Sequence, residues 1–170
     1  MRTIFVDGYN VINSWPELND IKNYSFEAAR QQLIETLSNY AAYKGYNIFI
    51  VFDAHMVAGS LEKKEKISEN VQVVFTKENE TADSFIEKTV NRIGRRSEVF
   101  VVTSDSLEQQ ITFQRGAVRM SSIEFYHEVK QIESRIKRKI ENKYSKQKHT
   151  LEDRIAKDML EKLEKIRKSR

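Results

Sequence analysis

Thr3-Ile4-Phe5-Val6-Asp7-Gly8 and Asn47-Ile48-Phe49-Ile50-Val51-Phe52-Asp53 are built alike: a short β-branched and aromatic run that stops at an aspartate. Neither alternates apolar with polar residues, which is the pattern of a strand buried on both faces of a parallel sheet. Val71-Gln72-Val73-Val74-Phe75 before Thr76 and Glu98-Val99-Phe100-Val101-Val102 before Thr103-Ser104-Asp105 repeat it, and Ala117-Val118-Arg119-Met120 is a weaker fifth. Between these runs the apolar period lengthens to three and four. Phe26, Ala29, Leu33, Leu37, Tyr40 and Ala41 predict a helix with Ser25 as N-cap; Ala82, Phe85, Ile86, Thr89, Val90 and Ile93 predict another, ending at Gly94. Leu107, Gln110, Ile111 and Phe113 predict a shorter one that ends near Gly116. Strands alternating with helices imply an α/β domain, with right-handed crossovers and a parallel sheet of about five strands covered on both sides. Residues 54–70 are polar and charged and read as either helix or loop, with Lys63, Lys64 and Lys66 as a solvated face.

Composition narrows the chemistry. A chain of 170 residues with 39% hydrophobic and 32% charged residues suits one domain able to bury roughly two-thirds of its unfolded surface. No apolar run approaches the roughly 20 residues of a membrane helix and no signal peptide is visible, so a cytoplasmic protein without a membrane partner is expected. With no Cys, a thiol nucleophile and a cysteine zinc site are excluded, and the 3 His (His55, His127, His149) are widely spaced. Five Gly and one Pro disfavour a turn-rich β-sandwich. Any metal would therefore sit on carboxylates.

Charge divides the chain. Residues 1–129 carry 14 Lys and Arg against 18 Asp and Glu, or −4; residues 130–170 carry 15 against 7, or +8. The division predicts a body over 1–129 and a basic helical extension over 130–170, the latter either suited to a polyanionic partner or simply kept soluble by its Lys. In the extension Ile132, Ile136, Ile140 and Tyr144 step by four, and Leu151, Ile155, Met159 and Leu163 do the same. Thr150 with Asp153 resembles a capping box, so a second helix is expected to start there, the two helices packing their own apolar stripes as a hairpin or leaning on the body.

The acids fall in one kind of place. Asp7 and Asp53 end their strands, Asp105 follows its strand by two residues, and Asp83 opens a helix, with Thr81 as N-cap and Glu80 just before it. In a parallel α/β sheet all C-terminal strand ends lie along one edge, where ligands bind, so these acids are expected to converge. Converging carboxylates repel unless a divalent cation offsets them, and oxygen-only ligation favours Mg²⁺ or Mn²⁺. Such a cation sharpens a water nucleophile and offsets the charge that develops as a phosphodiester breaks. Each Asp taken alone is also an ordinary turn former or helix cap.

Asp7-Gly8-Tyr9-Asn10-Val11-Ile12, Phe52-Asp53, Glu80-Thr81-Ala82-Asp83 and Thr103-Ser104-Asp105, in that order, resemble the NYN-domain ribonucleases, relatives of the PIN domain. Val73-Val74-Phe75-Thr76 leading into Thr81-Ala82-Asp83-Ser84-Phe85-Ile86-Glu87 is similar to the YacP branch. The resemblance covers about residues 1–125 and, for YacP, the basic tail. It implies a three-layer PIN-like domain with strand order 3-2-1-4-5, a Mg²⁺ or Mn²⁺ site, and endoribonuclease activity. The family also suggests action on mRNA at the ribosome. The resemblance carries metal binding and catalysis onto Asp7, Asp83 and Asp105, with Asp53 a further metal candidate and Glu80 a supporting one.

Other residues have two readings each. Asn10 orients a water or phosphate, or caps a helix; Ser104 bonds a metal-bound water, or makes an ordinary turn. Tyr9 and Trp15 stack on bases, worth about 1–3 kcal/mol each, or pack in the core. Arg95, Arg96, Arg115 and Arg119 hold RNA phosphates, or are surface residues; His55 is a site or a turn residue. Two other function classes fit an acid cluster: an RNA- or ribosome-binding protein without catalysis, and a metal-dependent phosphatase. The dehalogenase-type phosphatase wants a second acid two residues after its nucleophile, where Tyr9 stands.

Overall fold

The structure is a computed structural model that describes residues 1–54, 59, 61–94, 97–104 and 116–169. Among these, two compact units are distinguished, Met1–Gln131 and Ile132–Arg170. In chain order the elements are β1 (Arg2–Asp7), α1 (Gly8–Ser14), α2 (Pro16–Lys22), α3 (Phe26–Lys44), β2 (Asn47–Phe52), β3 (Lys63–Lys66), β4 (Val71–Phe75), α4 (Ala82–Ile93), β5 (Glu98–Val102), β6 (Val118–Met120) and α5 (Ser122–Lys168).

The sheet runs β3-β4-β2-β1-β5-β6. Its five parallel strands, β4-β2-β1-β5-β6, reproduce the expected 3-2-1-4-5 order. In-register pairs such as Val6 with Ile50 and Val102, and Phe52 with Phe75, align the strand ends. Side chains alternate across a strand, yet Ile4, Phe5 and Val6 are all buried, as are Ile50 and Val51, and Val73 and Val74. Both faces are therefore covered, which is why the strand sequences lack alternation. On one face Phe5, Val51, Val74 and Val101 meet Phe85, Ile86 and Val90 of α4.

Local signals explain the helix ends. Ser25 accepts the Ala28 amide at the start of α3, and Gly45, at φ 69°, ends it in the left-handed conformation that glycine tolerates best. Gly8 is required for a different reason. A Cβ there would lie 2.4 Å from Cε1 of Phe52, a buried ring already packed on Tyr9 and Phe75.

Two expectations are corrected. Lys63–Lys66, within the stretch read as helix or loop, forms an antiparallel edge strand on β4. All four of its side chains are exposed, so the strand rests on backbone pairing rather than on burial. The predicted second tail helix at Thr150 does not form: α5 is one helix from Ser122 to Lys168, and Thr150 Oγ1 donates to the Lys146 carbonyl at 2.9 Å, from inside the helix. The cap that does operate is at the other end. Ser121 Oγ accepts the Glu124 amide at 3.1 Å and Glu124 Oε2 accepts the Ser121 amide at 2.8 Å, a reciprocal capping box. The helix predicted between Leu107 and Gly116 lies outside the described residues, except for Gly116.

Candidate active site

The end of β1 is also the start of α1. Asp7 closes the strand and its carboxylate accepts the Asn10 amide at 3.4 Å, so the residue that caps the helix is fixed at the C-terminal edge of the sheet. Asp7 is level with Val51, which puts Asp53, directly after the neighbouring strand, on the same edge. The backbone after Asp53 is fastened by Thr76: its amide donates to the Phe52 carbonyl at 3.0 Å and its hydroxyl accepts the Ala54 amide at 2.9 Å. Thr81 caps α4 by accepting the Ser84 amide at 3.1 Å, setting Asp83 in the first turn, where the helix dipole favours an anion.

These placements bring Asp7, Asp83 and Asp53 into electrostatic contact. The Asp7 carboxyl is pushed from its ordinary 3.8 up to about 7. Burial is the largest cause, the Asp83 charge the next, and the Asp53 charge and a hydrogen bond with the Asp83 carboxyl add to it; the Asn10 amide opposes them. Two carboxyls in such contact repel when both are charged, which keeps the proton on Asp7 to near neutral pH. The donor set suits a hard cation of the Mg²⁺ type, which takes one or two carboxylates and fills its remaining positions with water and phosphate oxygens. Among the described residues no group of three or more His, Cys, Asp or Glu is placed to hold a metal ion. Asp105 lies outside the described residues, as do His55, Arg95, Arg96 and Arg115.

Asn10 joins three elements. Its Oδ1 accepts the Ser104 amide at 3.1 Å, the Ser104 hydroxyl at 2.5 Å and the Ser122 hydroxyl at 2.7 Å. The segment leaving β5 and the start of α5 are thereby pinned to α1, one turn beyond Asp7. Glu80 is turned elsewhere: its Oε1 pairs with Lys88 at 2.9 Å, while its buried Oε2 has no hydrogen-bond partner among the described residues. Tyr9 packs edge-on against Phe26 and Phe52, and its hydroxyl accepts from Arg30 at 3.4 Å. Arg119 is half-buried on β6. Of the two readings of Trp15 the core one holds: the ring is 3% exposed, packs on Phe125 and Tyr126, and donates its indole N–H to the Ser122 carbonyl at 2.8 Å.

The family profile described as the YacP-like NYN domain matches residues 4–168. The chain belongs to the YacP-like NYN family. It is 43% identical to YacP of Bacillus subtilis (strain 168) over 169 residues, 99% of this chain and 98% of that one. A crystal structure of Rae1 (YacP) from Bacillus subtilis is similar at TM-score 0.74 and 41% identity, covering 99% of this chain and 95% of the other. A crystal structure of a point mutant of that protein matches at TM-score 0.74 and 42% identity over 85% of each chain.

Family membership and the fold expected from it agree, and the family places this chain among proteins of nuclease-type, RNA-related function. The YacP-like profile extends through α5, well past the motifs that carry the resemblance in the sequence. Sequence reasoning missed Ser122, which is fully buried and completes the set of donors on Asn10. Its signal is Ser121-x-x-Glu124, a helix start directly after β6. Thr76 reads in the sequence only as a strand boundary, yet it is buried and anchors the turn behind Asp53.

Proposed function

We propose that this YacP-like chain is a Mg²⁺- or Mn²⁺-dependent endoribonuclease that cuts mRNA in the cytoplasm in association with the ribosome. The observation that carries the reading is the Asp7–Asp83 pair, with Asp53 adding a third negative charge. Burying like charges together costs stability in the bare protein, and a cation offsets that cost. Asp7 and Asp83 would hold it, with Asp105 as the third catalytic acid, while Asp53 adds negative charge beside them without being placed as a third ligand. When bound, the cation activates water and offsets charge on the scissile phosphate. Asn10 holds Ser104, the residue before Asp105 in the sequence, in fixed relation to Asp7. Glu80 supports α4 through Lys88, while Tyr9, Arg95, Arg96, Arg115 and Arg119 contact RNA.

The test is purified protein with end-labelled RNA, with and without ribosomes, in Mg²⁺, Mn²⁺ or chelator. Internal cuts that require the cation are expected. Cleavage should rise as pH passes through about 7, where Asp7 loses its proton, and added Mn²⁺ should move this acid limb to lower pH because cation and proton compete. RNA retained but uncut under every condition would overturn catalysis in favour of binding alone. Hydrolysis of small phosphomonoesters with RNA untouched would make the protein a phosphatase.

The extension over 130–170, with its +8 charge, supplies affinity in this reading. The combined changes Arg135→Gln, Arg138→Gln and Lys146→Gln should reduce the salt slope of RNA or ribosome binding by about 2, at about 0.7 per phosphate contact on a single strand. The cleavage rate at saturating RNA should be unchanged. An unaltered slope would leave these residues as solubilising charge.

A further inference from the structure

The second unit carries a long, exposed apolar stripe. Ile140, Tyr144, Leu151, Ile155, Met159 and Leu163 are between 51% and 70% exposed, and their spacing keeps them on one side of α5. A contiguous apolar surface of this length marks an interaction site. The order of residues along it says what the partner is. Counted outward from the midpoint between His149 and Thr150, three apolar pairs lie at matched distances: Tyr144 and Ile155, Ile140 and Met159, and half-buried Ile136 and Leu163; Leu151 is matched instead by Lys148.

Charge follows the same division. Arg135–Lys148 carries seven Lys or Arg and one Glu, or +6; Leu151–Glu164 carries three Lys or Arg and five Asp or Glu, or −2. Parallel copies would set the +6 half beside itself. Antiparallel copies set it beside the −2 half, with Lys148 near Glu152 of the partner copy and Lys139 near its Asp158. Helix periodicity puts Arg138 and Lys146 on the side away from the stripe, where they stay available to other partners.

We propose that the exposed face of α5 is an antiparallel homodimer interface, with Ile140 of each copy packed on Met159 of the other and Tyr144 on Ile155. The same stripe would also close within one chain if α5 broke at its midpoint, where Thr150 and Asp153 stand. The helix is instead continuous there, with Thr150 bonded back to Lys146, so a second copy supplies the contacts.

The chain has no Cys of its own, so an engineered pair reads the interface directly. On one helix positions 140 and 159 are about 28 Å apart, at about 1.5 Å per residue, too far for a disulfide. The full-length Ile140→Cys/Met159→Cys variant should therefore oxidise to a covalent dimer of twice the 20.0 kDa chain mass. The two single variants should cross-link when mixed and scarcely at all alone. Light scattering on the unmodified protein should show the same doubled mass, rising with concentration, and Tyr144→Glu/Ile155→Glu should return it to the monomer. A disulfide closed within one chain would overturn the proposal in favour of a hairpin. A monomeric mass at every concentration, with no cross-link between the mixed single variants, would overturn it outright. Because mass and cross-linking are read without RNA, these results are independent of whether the nuclease reading holds.

Discussion

Asp7→Asn is expected to abolish RNA cleavage and at the same time raise the melting temperature of the cation-free protein. The substitution keeps the side chain's size and an acceptor for the Asn10 amide, which now sits at 3.4 Å from the carboxylate. It removes the charge that would hold the cation, so activity should fall by at least about 100-fold, or about 2.7 kcal/mol in barrier. The stability gain follows from the raised pKa. Asp7 titrates at about 7 in the folded chain and near 3.8 when unfolded, so between these values the folded state holds the extra proton. Stability from this group is greatest below pH 4 and declines as pH rises towards 7, the reverse of a salt-bridged Asp. Above pH 7 the wild type bears the full repulsion and the Asn variant does not.

A gain of about 1–2 kcal/mol is expected there, roughly 2–8 °C in Tm for a chain of this size. Saturating Mn²⁺ should close the gap by stabilising the wild type more than the variant. Calorimetry at pH 5 and pH 8, with and without Mn²⁺, checks all of this. A variant that melts well below the wild type would make Asp7 a structural cap. Wild-type cleavage by a stable variant would remove Asp7 from the chemistry.

How much of this was legible depended on what holds each element in place. The parallel strands are buried on both faces, so burial wrote itself into uninterrupted runs such as Ile48-Phe49-Ile50-Val51-Phe52. The acids at their ends were legible for the same reason: once β1 and β2 are parallel neighbours, Asp7 and Asp53 must share an edge. β3 left no such trace, because Lys63-Lys64-Glu65-Lys66 is held by edge pairing with β4 and buries no side chain. The short helices α1 and α2 went unread, although Asp7 before Gly8 and Pro16 at the first position of α2 are ordinary start signals. Thr150-x-x-Asp153 misled in the other direction. A capping box is only an option for the backbone, and inside an exposed, charge-rich helix the i−4 bond took its place. The contacts of Asn10 could not be read at all. They join residues 94 and 112 positions away, and a lone Asn after a strand carries no mark of either partner.

Those contacts make Asn10 the second residue whose loss should be large. Asn10→Ala removes the acceptor shared by the Ser104 amide, the Ser104 hydroxyl and the Ser122 hydroxyl. Ser104 is exposed and can turn to water, but Ser122 is fully buried and would keep an unsatisfied donor. Leaving one such group costs about 1–3 kcal/mol, or roughly 2–12 °C in Tm. Cleavage should fall further than stability accounts for, by about tenfold or more at temperatures where the variant is fully folded, because Ser104, next to Asp105 in the sequence, loses its anchor. Asn10→Asp separates the two effects: it restores an acceptor in the same position, so most of the lost melting temperature should return. It also sets a fourth carboxylate one helical turn from Asp7, so the acid limb of the pH profile should move upward. If Asn10→Asp restored stability and left that limb unmoved, Asn10 would be a cap for the fold with no hold on the acids. If Asn10→Ala cut RNA at the wild-type rate while folded, the anchoring of Ser104 would have no part in catalysis.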